Sequence, residues 1–169
     1  ALAVDETAHH APAQISTRAS LGDGGYSISG SKCFVVDGGT ADRLIVAART
    51  SGLAGEMQGI SLFLVDRTAS GVSVERTQMV DGRNYANIQF DNVLVPATDL
   101  LGEEGNGYAA LSATLDAGNV YLAAELLGIA QESFDRTLQY LKERKQFGVL
   151  IGSFQALQHR AAHWWSEVE

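Results

Sequence analysis

The spacing of apolar residues changes once along the chain, between Pro96 and Gly107, and this change limits the possible folds more than any other feature. Between Tyr26 and Pro96, short runs rich in Val, Ile and Phe are separated by turn sequences such as Asp37–Gly39, and a further turn sequence, Gly22–Gly25, precedes the first run. Such runs are typical of strands, and glycine supplies the positive φ that tight hairpin turns need. Six or seven strands with short connections and no helix between them predict an antiparallel β-sandwich or barrel.

After Gly107 the apolar residues recur every three, four or seven positions, which is the spacing of one stripe along a helix. The stripe predicts a helix from about Tyr108 to Glu143, roughly 50 Å long at 1.5 Å per residue, a length typical of helical bundles. We expect Gly148 to end this helix and Ser153 to cap a second one.

The two patterns together predict an α+β fold, with a β-domain at 1–102 and the first two helices of an up-down helical bundle at 103–169. Gly118 and Gly128 lie inside the long helix, where each costs about 1 kcal/mol relative to alanine. Close packing against a neighbouring element is the expected reason for both glycines. The chain lacks an initial methionine and stops within a helical pattern, so we expect it to be a piece of a longer protein.

Composition excludes several classes of function. The net charge of −8 opposes nonspecific binding to nucleic acid or to an anionic membrane surface. No apolar run approaches the roughly 20 residues of a membrane span, and no signal-peptide pattern opens the chain. The single cysteine, Cys33, excludes an internal disulfide and favours a cytoplasmic location. His159 and His163 have the spacing of two metal ligands, but no third ligand accompanies them, so we predict no metal site.

The stretch from Arg144 to Arg160 carries more polar chemistry than a helical joint requires. Arg144 offers a fork of donors suited to phosphate or carboxylate, Phe147 a flat apolar face, and Gln155 both a donor and an acceptor. A helix N-terminus at the same joint also favours an anion. The residues alone are equally compatible with a surface arginine, a core phenylalanine and a solvated glutamine, so both interpretations remain open.

The order of several motifs is more specific than any one of them. These are G-x-K-x-x-V at Gly30–Val35, then Gly38–Thr50, Gly59–Asp66 and Phe90–Tyr108, and finally YLKERKQFG and FQALQHR. Over essentially the whole chain, this order resembles the acyl-CoA dehydrogenase family. The resemblance implies a three-domain flavoenzyme, of which this chain is the middle β-domain and the start of the C-terminal helical domain. It also implies oxidation of an acyl-CoA thioester: a carboxylate removes the α-proton, a β-hydride passes to FAD, and a trans-2-enoyl-CoA results.

The resemblance assigns residues of the β-domain to the FAD site. Leu2, Val4 and Asp5 occupy the segment that runs under the flavin, although Asp5 places an acid where the family has a neutral hydroxyl. Phe34 matches the aromatic wall on the flavin. Val36 stands in place of a hydroxyl-bearing residue, so only its backbone N–H could replace that donor.

The same resemblance assigns residues of the helical part. Arg144, Phe147 and Gln155 match positions that hold FAD, with the arginine reaching the pyrophosphate of a neighbouring subunit. Asp116 faces the CoA portion of the substrate, and Asn119 replaces an arginine of the family there. Since Gly118 excludes a base on this helix, the resemblance places the catalytic carboxylate beyond Glu169, and no residue of this chain is assigned a catalytic role.

The implied partners are an acyl-CoA substrate, an electron-transfer flavoprotein or similar acceptor, and other subunits. The assembly would be a homodimer, a homotetramer or a heteromer with a paralogous subunit. AAELLG at 123–128, together with RKQFG and FQALQHR, resembles bacterial branches of the family, including small subunits like those of pimeloyl-CoA dehydrogenases. Two alternatives remain open: a non-catalytic FAD- and CoA-binding partner subunit of a heteromeric acyl-CoA dehydrogenase, and a related flavin oxidase or oxygenase.

Overall fold

The computed structural model describes residues 1–168, and they form two compact units. The first unit runs from Ala1 to Ala113 and the second begins at Thr114, within the long helix. In the first unit the strands are β1 Leu2–Ala3, β2 Arg18–Gly22, β3 Gly25–Val36, β4 Arg43–Arg49, β5 Ile60–Asp66, β6 Val72–Gln78, β7 Asn84–Val95 and β8 Leu100–Leu101. A 3-10 turn at Ala97–Asp99 joins the last two strands.

The eight strands form one sheet with the order β6-β7-β3-β2-β4-β5-β8, and β1 pairs with β4 beside this path. Most pairs are antiparallel, as the sequence predicts, but β1 and β2 both run parallel to β4. The expectation of a purely antiparallel sheet is therefore wrong at these two pairs. The reason is that the segment at 4–17 is no hairpin: it returns the chain so that β1 and β2 run in the same direction.

The predicted hairpin at Gly22–Gly25 is confirmed. Arg18 pairs with Ser29 and Gly22 with Gly25, so a two-residue loop closes β2 onto β3. Beneath the sheet, the inward side chains of all the long strands except β6 form one apolar cluster, within which the rings of Tyr26 and Phe63 lie 4.8 Å apart. This cluster holds the strands in register, since a slip of one residue would turn every apolar side chain outward.

Arg49 is fully buried in the first unit and ties two loops together. Its guanidinium donates hydrogen bonds to five backbone carbonyls, namely those of Ala13, Ile15, Ser51, Glu56 and Gln58. The fork of five N–H groups can satisfy all of these acceptors at once, which the three donors of lysine cannot do.

The long helix α1 spans Gly107–Glu143, which confirms the predicted bounds. It is followed by β9 Lys145–Gln146, β10 Val149–Leu150, a 3-10 turn at Ile151–Ser153 and helix α2 Gln155–Val168. Phe134 of α1 and Trp164 of α2 pack edge to face with their ring centroids 5.6 Å apart. A sheet-rich domain followed by two helices is thus the architecture of the chain.

Two predicted helix ends are wrong. Gly148 does not end α1, because a β9–β10 hairpin lies between the helices and Gly148 sits in its turn at φ +80°, next to Phe147 at +57°. A two-residue hairpin turn of this kind needs positive φ at both residues, so the turn accounts for the glycine as well as a helix end would. Ser153 does not cap α2, because its hydroxyl donates back to the carbonyl of Leu150 at 2.7 Å.

The middle of α1 exposes a run of apolar side chains. The exposed side chains are those of Val120, Tyr121, Leu122, Leu126, Leu127 and Ile129. A Cβ added at Gly118 or Gly128 would meet no atom of the described residues within 4 Å, so packing within this part of the chain does not explain either glycine. Neither described helix combines the length and apolarity needed to cross a membrane.

Candidate functional site

A bulge in β3 presents Phe34 at the surface of the sheet. Lys32 pairs with Ile88 of β7 and Val35 with Ala86, so Cys33 and Phe34 together oppose a single residue, Asn87. Bulges of this kind redirect a side chain and are frequent beside active sites. The sequence gives no sign of this bulge, because it depends on pairing between strands about fifty residues apart.

Phe34 adopts φ +50°, a left-handed conformation that costs an ordinary residue roughly 1–2 kcal/mol. Its backbone N–H donates to Oδ1 of Asn87 at 3.2 Å, and its side chain is 41% exposed. Val36, two residues further on, is also exposed. The bulge therefore offers an aromatic ring and a branched aliphatic side chain to a ligand, at the cost of local strain.

The segment that follows β1 lies against this bulge. The N–H of Cys33 donates to the carbonyl of Asp5 at 2.8 Å, which fixes the backbone of the loop next to Phe34. The carboxylate of Asp5 lies 3.0 Å from Nδ1 of His10 and accepts the N–H of Ala11 at 3.2 Å. The negative charge that the sequence places here thus has partners within its own loop.

Val4 and Leu2 differ in which of their atoms a ligand could contact. The Val4 side chain is buried and its carbonyl accepts a hydrogen bond from Lys32, so a ligand could meet only what remains of its backbone. Leu2 pairs with Ile45 of β4 and is half-buried. Of the five residues predicted in this unit, the structure brings Asp5, Phe34 and Val36 together around the bulge.

A buried ion pair anchors the same loop, and sequence reasoning did not find it. The Lys32 ammonium donates to Oε1 of Glu6 at 2.8 Å and to the carbonyl of Val4 at 2.9 Å. The Glu6 carboxylate also accepts the N–H groups of Ser16 at 2.7 Å and Thr17 at 2.9 Å. The lysine of the G-x-K-x-x-V motif is a sign of this pair in the sequence, but the spacing of residues along the chain does not identify its partner.

The two partners have shifted pKa values. Burial by itself raises the pKa of Glu6, but the Lys32 charge and the hydrogen bonds from Lys32 and Thr17 outweigh it, so the pKa is lowered overall. Burial lowers the pKa of Lys32, and the neighbouring Glu6 offsets this only in part. Both directions follow from placing a charged pair at the edge of an apolar core.

The hairpin between the helices and the first residue of α2 carry the three residues of the second unit that are predicted for the FAD site. Arg144 directly follows α1 and is exposed, and within the described part of the chain its side chain has no ion-pair partner. Phe147 is 90% exposed at the tip of the hairpin, and its ring lies 6.2 Å from that of Phe154. The interpretation of Phe147 as a core residue is therefore wrong.

Gln155 is the first residue of α2 and is exposed, close in sequence to the hairpin. Asp116 and Asn119 are both exposed on α1, three residues apart and so on one face of the helix. Among residues 1–168 there is no group of three or more His, Cys, Asp or Glu side chains that could hold a metal ion.

Each unit of the chain matches one domain of a single family. Residues 3–93 match the acyl-CoA dehydrogenase middle domain and residues 105–169 match the acyl-CoA dehydrogenase C-terminal domain. The segment between the two matches contains the predicted boundary at 102–103.

Similar proteins extend this match over nearly the whole chain. The short/branched chain specific acyl-CoA dehydrogenase of Rattus norvegicus is 38% identical over 158 residues, covering 92% of this chain and 36% of the relative. A crystal structure of acyl-CoA dehydrogenase from Geobacillus kaustophilus has a TM-score of 0.88 and 32% identity, over 99% of this chain and 45% of that one. The structure described as PigA with FAD and proline has a TM-score of 0.90 and 26% identity, over 99% and 44% of the two chains.

A mixed sheet that presents an aromatic bulge, followed by two helices joined by an arginine-bearing hairpin, is an arrangement that this chain shares with these larger solved structures. The chain belongs to the acyl-CoA dehydrogenase family. It spans 36% of the length of the rat relative, a little over a third of that protein.

Proposed function

We propose that the protein to which this chain belongs is an FAD-dependent acyl-CoA dehydrogenase, which converts an acyl-CoA thioester to the trans-2-enoyl-CoA. The observation that carries this proposal is that both units match the family, each in its own domain. A role in fatty acid metabolism fits the proposal, since acyl thioesters are its proposed substrates.

The residues of the first unit fit a flavin. The bulge presents Phe34 and Val36 to solvent, and a flat apolar ring system would cover both side chains. The carboxylate of Asp5 would not repel an electron-rich ligand strongly, because His10 and the N–H of Ala11 already accompany it. Leu2 and the backbone around Val4 would complete this side of the site.

The residues of the second unit fit a diphosphate. Arg144 has an exposed guanidinium without an ion-pair partner among residues 1–168, and such a fork binds phosphate oxygens in pairs. Phe147 and Gln155 would lie beside it and contact the rest of the cofactor. We propose that this hairpin serves a neighbouring subunit, so that FAD binding requires a homo-oligomer or a heteromer with a paralogous subunit.

When bound, FAD would accept the hydride that leaves the β-carbon of the substrate. The protein would remove the α-proton with a carboxylate, which we expect beyond Glu169. On α1, Asp116 and Asn119 would contact the CoA portion. An electron-transfer flavoprotein or similar carrier is the proposed acceptor of the electrons, and the cytoplasmic location remains a prediction from the lone cysteine.

The deciding experiment is anaerobic reduction of the purified, complete protein with a panel of acyl-CoA thioesters of different length and branching. We expect a yellow protein whose flavin absorption is bleached by at least one thioester, with the enoyl-CoA formed in equal amount. A protein that binds no FAD would contradict the proposal. Rapid reoxidation by dioxygen with formation of hydrogen peroxide would favour a flavin oxidase instead.

The second candidate is a non-catalytic partner subunit in a heteromeric acyl-CoA dehydrogenase. It is motivated by Asp5, Val36, Gly118 and Asn119, each of which departs from the pattern expected for an active member. Bound FAD that no thioester bleaches, together with the lack of a carboxylate at the base position of the complete sequence, would favour this candidate.

A further inference from the structure

The bulge takes the backbone N–H of Phe34 out of the hydrogen-bond ladder between β3 and β7, and a side chain accepts this N–H instead. Cys33 and Phe34 stand opposite Asn87 alone, so this part of the ladder holds one backbone acceptor too few. The N–H of Cys33 turns to the carbonyl of Asp5, and the N–H of Phe34 is bound by Oδ1 of Asn87 at 3.2 Å. Acceptors from two different segments of the chain therefore hold the two backbone N–H groups of the bulge.

We infer that Asn87 is a positioning residue that holds the Phe34 ring in the orientation needed by the bound flavin, an inference that rests on the proposed function. Phe34 has positive φ, which an aromatic residue adopts only when its surroundings enforce it. The hydrogen bond that the Phe34 N–H donates to Asn87 is one such constraint, and it acts on the backbone of the residue whose side chain would meet the ligand. Asn87 itself need not touch the cofactor.

The same pair of strands contains an internal control. At a second bulge, Ser29 of β3 stands opposite Asp91 and Asn92 of β7, and Asn92 has φ +50°. The N–H of Asn92 donates to the Ser29 hydroxyl at 3.2 Å. Asn87 and Ser29 thus each accept the N–H of a bulge residue with positive φ, and the Ser29 hydroxyl also donates to Oδ1 of Asn92 at 3.2 Å. Only Asn87 supports a residue proposed for the flavin site.

The test compares Asn87→Ala with Ser29→Ala in the complete protein. We expect both changes to lower the thermal unfolding midpoint, and Ser29→Ala at least as much as Asn87→Ala, because it removes two hydrogen bonds. We expect Asn87→Ala alone to raise the FAD dissociation constant, about threefold to tenfold for the loss of one hydrogen bond, and to change the visible circular dichroism of the bound flavin. Asn87→Asp retains an oxygen acceptor and should restore most of the wild-type spectrum.

A double-variant cycle separates positioning from general damage. Glycine adopts positive φ without strain, so Phe34→Gly should keep the backbone conformation of the bulge. It also removes the ring that Asn87 would orient. In this Phe34→Gly background, Asn87→Ala should have no further effect on FAD affinity. Equal effects of Asn87→Ala and Ser29→Ala on FAD binding, or an undiminished effect of Asn87→Ala in the glycine background, would overturn the inference alone. A wild-type protein that binds no FAD would overturn the proposed function and this inference with it.

Discussion

The Lys32 ammonium lies 2.8 Å from the Glu6 carboxylate, and the Lys32 side chain has no exposed surface. The Glu6 side chain, 11% exposed, also accepts the backbone N–H groups of Ser16 and Thr17, the two residues before β2. This pair therefore ties the loop after β1 to β3, directly beside the bulge that presents Phe34. Its loss should disturb both stability and the proposed flavin wall.

Removing one partner of this pair should destabilise the protein strongly. Lys32→Met leaves the Glu6 carboxylate partly buried without its cation, which typically costs 3–5 kcal/mol, so we expect a loss of about that size. The double variant Glu6→Gln/Lys32→Met removes both charges and should recover part of the loss. Denaturant unfolding of the complete protein without added FAD measures these changes.

The exposed pair of Arg43 and Asp66, 3.8 Å apart, provides the control for that experiment. Arg43→Met should change stability by less than about 1 kcal/mol, because solvent screens this pair. Similar losses of unfolding free energy for Lys32→Met and Arg43→Met would show that the buried pair stabilises the protein no more than the exposed pair does.

The lowered pKa of Glu6 predicts loss of stability in acid. A carboxyl whose pKa is lower in the folded than in the unfolded protein stabilises the fold fully above its unfolded pKa, and this contribution is lost as the pH falls through the folded value. For Glu6 the loss should begin near pH 4.5, the ordinary value, and continue below it. Unfolding midpoints of wild type and Glu6→Gln should therefore converge as the pH is lowered from neutral, and a constant difference would contradict the assignment.

The sequence predicts regular elements well where one period continues over many residues. The bounds of α1 follow from an apolar stripe of about ten turns, and the hairpin of β2 and β3 follows from its glycine-rich turn. The β9–β10 hairpin was missed because its strands have two residues each, too few to show alternation. The sequence around Gly148 predicts a helix end equally well, because a helix end and a hairpin turn both need a residue with positive φ.

The candidate site was harder to predict because its geometry depends on distant pairings. Phe34 could be named from the family resemblance, but its positive φ arises from a two-against-one register with Asn87. The partner of Lys32 was likewise hidden, because Glu6 reaches it only through the loop before β2. Spacing along the chain carries no signal for such contacts.

Arg49 should tolerate no substitution, including lysine. Its guanidinium donates to five backbone carbonyls, and the ammonium of lysine has only three donors. The Ala13 carbonyl also accepts the N–H groups of Ile15 and Gly55, so Arg49→Lys should leave at least one of the other four carbonyls without a partner. At about 1–3 kcal/mol for each such group, this predicts a loss of at least about 1–3 kcal/mol. Denaturant unfolding tests this value, and a loss as small as that of an exposed Arg18→Lys would contradict the role given to the guanidinium.

Val36→Thr should strengthen FAD binding. Val36 is exposed, so a hydroxyl at this position needs no buried partner, and threonine has nearly the same shape. The new donor should lower the FAD dissociation constant by about twofold to tenfold, the effect of one net hydrogen bond. Titration of the apoprotein with FAD measures this change. Val80→Thr, at another exposed valine, is the control and should leave the affinity unaltered.

Arg144→Ala should weaken FAD retention, because the proposed diphosphate would lose a charge-assisted partner. Such bonds contribute about 1.5–3 kcal/mol, so the FAD dissociation constant should rise by roughly tenfold or more. Arg144→Lys keeps the charge but not the fork, and should give an intermediate value. Arg136→Ala removes another exposed arginine, on α1 and paired with Glu132, and should leave FAD affinity unaltered. Isothermal titration of the complete apoprotein with FAD tests the whole series, and equal affinities for Arg144→Ala and wild type would remove the hairpin from the FAD site.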